Sequence, residues 1–255
     1  MTADHNKYRV HKTFISRTNP KNAVAMVTDA ALTGKGGFVC VSNMRMVSYA
    51  CEIQEYNSIM KRSLMNWPDG KPLCWCGWLW GLRDVRCTRG PNIFKNMMNC
   101  GDKRLKHFLI GDTRDVLDEI VMAYKNTADI VGTFSPPFCD ENEFDYERIE
   151  KMLHNSGANI VWTALTAPKQ DIFDAKMSER LPNVVFIGVG RAFRMSIGKI
   201  KDAPEWAKKI GVGGMFIGRS RWYRRIWFYV KQSVILVQYW VEILWKRTTG
   251  GKYYE

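Results

Sequence analysis

The 255-residue chain is expected to fold as an α/β protein: a Rossmann-like, mostly parallel sheet flanked by helices, with a basic, aromatic C-terminal helical appendage. Three observations lead to this expectation. Short, near-continuous apolar runs alternate with helix-period segments, the pattern of strands buried on both faces of a parallel sheet. Most of the runs end in glycine or turn residues. The last quarter then changes character, because from Arg191 onward fourteen Lys and Arg face four Asp and Glu, +10 of the chain's net +13. We therefore expect a core over 1–200 and an appendage over 201–255.

Each element has its own signal. Asn19-Pro20 reads as an N-cap with proline at the first helical position, opening a helix toward Ala31. Gly36 to Asn43 (GGFVCVSN) reads as a buried strand, and Lys106 to Asp112 as a strand and turn. TRDVLDEIVMAYKN follows as an amphipathic helix. ADIVGTFSPPF repeats the strand-to-loop pattern. Glu143 to Asn155 is helical, Ala158 to Leu165 a strand, Pro168 a helix start, and Asn183 to Gly190 a final strand. Ligands of such sheets bind beyond the carboxyl ends of the strands. That rim would comprise Ser42 and Asn43, Gly111 to Thr113, Thr133 to Pro137, Thr166 to Gln170 and Gly188 to Gly190.

Arg219 to Arg247 combines arginines with Trp, Tyr and Phe, then continues as an apolar stretch broken by Lys231, Gln232, Ser233, Gln238 and Glu242. A bilayer span needs about 20 predominantly apolar residues. Cations beside aromatic rings suit a helix lying in the headgroup plane, and a helix pair packed on the core is the plainer alternative. A basic tail also suits nucleic acid, but no nucleic-acid-binding motif accompanies it. The seven cysteines are odd in number and the N-terminus shows no apolar signal segment, so a reducing compartment is expected. Cys74 and Cys76 lack a second ligand pair at tetrahedral spacing. No histidine has a partner pattern for nucleophilic or metal chemistry.

The segment most like a catalytic loop is Trp67 to Leu73 (WPDGKPL). Pro68 and Gly70 bracket Asp69 in a turn, where its carboxylate can serve as a general base toward a sugar hydroxyl. A turn aspartate bound to its own backbone is the structural alternative. Lys169 and Gln170 stand at a helix start, which favours anions, and Gln170 suits sugar hydroxyls. Ile187 to Gly190 (IGVG) lets backbone approach a phosphate, although the third glycine of a dinucleotide fingerprint is missing.

The order VSN, PDGKPL, GTFSPPF, APKQD, FIGVGRAF and DAPEW resembles the WecG/TagA/CpsF family of glycosyltransferases over roughly residues 36–225. The resemblance implies inverting transfer of a hexose or N-acetylhexosamine from a UDP-sugar donor to an undecaprenyl-diphosphate-linked sugar in bacterial cell-surface polysaccharide synthesis. It implies no metal or other cofactor, no nucleic acid, and a peripheral place on the anionic cytoplasmic face of the membrane. By position Asp69 is the expected base. Ser42, Asn43, Gln170, Arg221, Arg224 and Arg225 are expected to bind substrate, and Gly111, Gly188 and Gly190 the nucleotide. Arginines could neutralise the charge of departing UDP. The chain departs from the family pattern at PKQD (for PKQE), at Arg194 (for aspartate), at Asp202 (DAPEW for RAPxW), at Gly211 to Gly214 (GVGG for GLEW), and at Cys87 (for arginine). A nucleotide-binding member that no longer transfers is the alternative these departures raise.

Overall fold

The structure is a computed structural model. It describes residues 6–216 and 222–254, with side chains throughout except at 215, 222–229 and 231. A hairpin of β1 (Lys7–Val10) and β2 (Thr13–Ser16) leads into α1 (Pro20–Thr33) and β3 (Gly37–Ser42). Then come α2 (Met44–Glu52), α3 (Gln54–Arg62), β4 (Met65–Pro68), α4 (Lys71–Leu79) and α5 (Gly90–Met98). The second half runs β5 (Lys106–Gly111), α6 (Arg114–Tyr124), β6 (Asp129–Phe134), α7 (Tyr146–Ser156), β7 (Ile160–Ala164), α8 (Lys169–Arg180) and β8 (Val185–Gly188). The chain ends with α9 (Ala192–Ser196), α10 (Glu205–Lys209), a 3-10 turn at Gly213–Phe216 and the long α11 (Trp222–Thr248).

Six strands form one parallel sheet in the order β4-β3-β8-β7-β5-β6. Alternate residues of each strand enter different cores. Val39, Met65, Trp67, Leu109, Trp162, Val185 and Ile187 pack under α1, α5, α6 and α9. Phe38, Cys40, Phe108, Ile110, Val161 and Phe186 pack under α2, α3, α7 and α8. This two-sided burial explains why the strands read as continuous apolar runs. The chain leaves β5 toward β6 but leaves β7 toward β8, so the order reverses between β5 and β7, where ligands of such sheets commonly bind.

The local signals act as expected. Asn19 accepts a hydrogen bond from Asn22 N and caps α1 with Pro20 in its first turn. The sequence reading had no β4, a four-residue strand ending in proline. It forms because it is wholly buried at a sheet edge and covered by the hairpin. Asn66 fastens the two together. Its backbone N–H donates to Ser16 Oγ (2.9 Å), and its side chain donates to Phe14 O (2.9 Å) and Met60 O (2.8 Å). Ser63 Oγ donates to its Oδ1 (3.0 Å).

Replacing Asn66 with Ala keeps the backbone bond to Ser16 Oγ but removes the side-chain bonds to Phe14 O, Met60 O and Ser63 Oγ, and a buried polar group left unpaired costs about 1–3 kcal/mol. We expect Asn66→Ala to lower unfolding stability by roughly 3 kcal/mol in urea denaturation, whereas Asn22→Ala on the exposed face of α1 shifts it by less than about 0.5 kcal/mol.

Candidate active site at the carboxyl edge of the sheet

Asp69 is the first residue beyond β4. Its N–H donates to Ser42 O (2.7 Å), which carries the β3–β4 pairing one step past the strands, while Thr88 N donates to Pro68 O (2.9 Å). Gly70, at φ +123°, then turns the chain into α4. The carboxylate keeps 32% of its side-chain surface accessible and faces Arg89, whose Nε lies 3.9 Å from Oδ1. Loss of water around it raises its pKa. Arg89 and Arg191 pull the value back down, and Asp202 pushes it up again. Arg89 also forks onto Asp202 through Nη1 (2.9 Å) and Nη2 (2.8 Å). Lys208 Nζ reaches Asp202 (3.0 Å) and pairs with Glu205. These cations hold Asp202 far below the usual carboxylate range, the Arg89 hydrogen bonds acting most strongly.

A second cluster lies where β3 and β8 end. Among the described residues, Ser42 Oγ and Gln170 Oε1 are buried without a hydrogen-bond partner. Gln170 lies across Gly188, where an added Cβ would meet its Nε2 at 2.8 Å, and its Oε1 faces Gly190. Buried polar atoms are ordinarily satisfied, so this pair has hydrogen-bonding capacity to spare at the sheet edge. Asn43 instead caps α2, its Oδ1 accepting from Arg45 N (3.0 Å) and Met46 N (3.3 Å). Beneath Gln170, α8 buries two acids. Tyr56 Oη hydrogen-bonds to Asp171, and Thr163 Oγ1 donates to Asp174 (2.8 Å). Burial pushes Asp171 up to about 7 against the lowering effect of Tyr56, and raises Asp174 well above its ordinary value.

A third cluster closes the β5 end. Gly111, at φ +111°, lies so near β7 that an added Cβ would stand 2.8 Å from Ala164 O. Asp112 accepts three hydrogen bonds from Arg194 Nε and Nη2 (2.8–3.0 Å), and its carbonyl accepts from Ser135 Oγ (2.6 Å). Lys169 donates to Cys139 O and stands over the Phe144 ring (4.9 Å), so its amine is engaged by the loop after β6.

α11 packs on α4 and α2 through Leu236, Tyr239 and Ile243. His11 Nδ1 pairs with Glu242 (2.6 Å) and its ring stacks on Tyr239 (4.9 Å). On the opposite side Val230, Val234, Val237, Val241, Leu244 and Trp245 form an exposed apolar stripe at helical spacing. A single long helix thus replaces the helix pair considered from sequence. Among the described residues no helix is long and apolar enough to cross a membrane. Arg221 lies outside the described residues, as do the side chains of Arg224 and Arg225 within α11.

Of the residues singled out in sequence, the fold joins Asp69 to Ser42, and Gln170 to Gly188 and Gly190. Gly111 stands apart at the β5–β7 junction, and Asn43 serves a helix cap. The Arg89–Asp202 pair was not legible, because its partners are 113 residues apart in the chain. The only signal was the proximity of Arg89 to the missing arginine at Cys87.

Parallel α/β sheets of this kind host many chemistries at their carboxyl edge, and the relatives of this chain make it a glycosyltransferase. The chain belongs to the Glycosyl transferase WecG/TagA/CpsF family, whose profile it matches over residues 8–250. It is similar to the N-acetylglucosaminyldiphosphoundecaprenol N-acetyl-beta-D-mannosaminyltransferase of Bacillus subtilis (strain 168), 23% identical over 195 residues that cover 75% of each chain. It is equally similar to the enzyme of that name from Bacillus spizizenii (strain ATCC 23059 / NRRL B-14472 / W23), 23% identical over 196 residues, 75% of this chain and 76% of the relative.

The raised pKa of Asp171 has a consequence for stability. Its folded value of about 7 exceeds the unfolded value near 3.8, so the folded state binds the extra proton. The stability this confers is complete below about pH 4 and is lost as pH rises through 7. Asp171→Asn should flatten the fall in unfolding free energy between pH 4 and pH 8, measured by urea denaturation at each pH.

Proposed function

We propose that the protein catalyses inverting transfer of a hexose or N-acetylhexosamine, of the N-acetylmannosamine or glucose type, from a UDP-sugar to an undecaprenyl-diphosphate-linked sugar. The observation that carries this reading is Asp69, a partly accessible carboxylate of raised pKa held between Arg89 and the β3 terminus. The names of the two Bacillus relatives favour a lipid-diphosphate acceptor bearing N-acetylglucosamine.

In this mechanism the acceptor hydroxyl attacks the anomeric carbon from the face opposite the nucleotide. The new C–O bond forms as the bond from that carbon to the diphosphate oxygen breaks. The hydroxyl proton passes to Asp69, and UDP departs with the bonding electrons. A carboxylate of raised pKa is the stronger base, and Arg89 and Arg191 keep it ionised until the proton arrives. Ser42 Oγ and Gln170 Oε1 supply hydrogen-bonding atoms for the donor. The nucleotide phosphates would approach the backbone at Gly111, Gly188 and Gly190, and Arg221, Arg224 and Arg225 would meet the charge that develops on the leaving diphosphate.

The appendage over 201–255 serves in this reading as a peripheral anchor at the cytoplasmic membrane face. Its apolar stripe enters the interface while the surrounding basic residues meet anionic lipid. A site that handles a polyprenyl substrate gains from such attachment, because the acceptor never leaves the bilayer surface.

Asp69→Asn should lower turnover of a synthetic prenyl-diphosphate sugar by about 10²–10⁴-fold with an unchanged circular dichroism spectrum, which is the usual contribution of a general base. Wild-type turnover in that variant would remove the base assignment. A panel of UDP-sugars in the same assay identifies the donor. Val237→Glu together with Val241→Glu should abolish flotation with vesicles containing phosphatidylglycerol, while turnover of a short, water-soluble acceptor persists.

A further inference from the structure

The two thiols nearest the Asp69 turn face each other. Cys74, in the second turn of α4, is buried, and its Sγ lies 3.2 Å from Sγ of the half-buried Cys87. Cys74 also contacts Gly70 O (3.4 Å), immediately after Asp69, while Cys87 stands two residues before Arg89. The pair therefore bridges the carboxylate's turn and the cation that faces it. We propose that Cys74 and Cys87 are an oxidation-sensitive dithiol whose closure to a disulfide displaces Arg89 from Asp69.

A disulfide requires about 2.05 Å between sulfurs, so the two must approach by just over 1 Å. Cys87 belongs to the segment joining α4 to α5, whereas Cys74 lies within a helix. A hydrogen bond from Cys74, aided by the charge of Lys71, lowers the pKa of Cys87 and makes it the nucleophile. With a hydroperoxide as oxidant, the Cys87 thiolate attacks the peroxide oxygen. It becomes a sulfenic acid and, with one proton taken up, releases an alcohol, or water from hydrogen peroxide. The Cys74 thiol then attacks the Cys87 sulfur, and the S–S bond forms as water leaves. Two thiols are oxidised by two electrons and the peroxide is reduced by two.

The bond itself is independent of the transferase reading; its effect on turnover rests on that reading. The test treats the folded protein with hydrogen peroxide, alkylates the remaining thiols and digests with trypsin. Cleavage after Arg62, Arg83, Arg86 and Arg89 places the two cysteines on separate peptides, 63–83 and 87–89. We expect these peptides to be linked by a bond that dithiothreitol releases, that Cys87→Ser eliminates and that Cys76→Ser preserves. Recovery of Cys74 and Cys87 as free thiols while exposed Cys100 oxidises would overturn the proposal. Turnover should fall at least tenfold on oxidation, return with dithiothreitol, and resist peroxide in Cys87→Ser. A linked protein with unaltered turnover would overturn the displacement of Arg89. If the reduced protein shows no turnover, the functional reading has failed, and the peptide map still judges the disulfide.

Discussion

The pairing of β3 with β4 is the constraint on which the rest of the site depends. It runs in parallel register from Val39 opposite Met65 to Ser42 opposite Pro68, and the Asp69 N–H to Ser42 O bond extends it into the turn. β4 is only four residues long and lies at the sheet edge. It is held there by the β1–β2 hairpin and by the buried side chain of Asn66. A strand slip of one residue would move every side chain to the other face, Trp67 out of its core among them. The position of one carboxylate is thus fixed from both sides of β4, by β3 within the sheet and by the hairpin beyond its edge.

Electrostatics then determine what that carboxylate can do. Desolvation favours its neutral form and two arginines favour its charged form, and the balance leaves its pKa raised. Two of the residues expected from the resemblance to depart from the family pattern form ion pairs of their own. Arg194 is held by Asp112. Asp202 is held by Arg89 and Lys208. Neither departure leaves a buried unpaired charge. Gly211, the one residue of GVGG that matches the expected GLEW, lets the chain lie against Trp75, where an added Cβ would come within 2.9 Å of the ring. Since Trp75 belongs to α4 and contacts Trp240 of α11, the base turn and the C-terminal helix share one packing unit.

Local sequence determined the repeating architecture. The apolar runs at Gly37–Ser42, Lys106–Gly111, Ile160–Ala164 and Val185–Gly188 became strands because two-sided burial demands continuous hydrophobicity. Asn19-Pro20 opened α1 because capping is a short-range interaction. The order of the motifs was enough to indicate the family, and Asp69 between Pro68 and Gly70 could be recognised as a turn residue. The sequence also marked Arg219 to Arg247 as a basic, aromatic and apolar segment.

Only the tertiary structure decided which of those residues meet. β4 was invisible because its burial comes from the hairpin and the neighbouring strand rather than from any pattern within four residues. The facing of Arg89 and Asp69, the grip of Arg89 on Asp202 and the contact of Cys74 with Cys87 arise from loop closure and have no local periodicity. Asp171 and Asp174 of α8 carry no local signal of burial, which comes from the sheet that covers them. The outward apolar stripe of α11 emerged only once its other side was seen packed on α4 and α2. Local propensity is written along the chain, whereas desolvation and charge pairing exist only between segments that folding brings together.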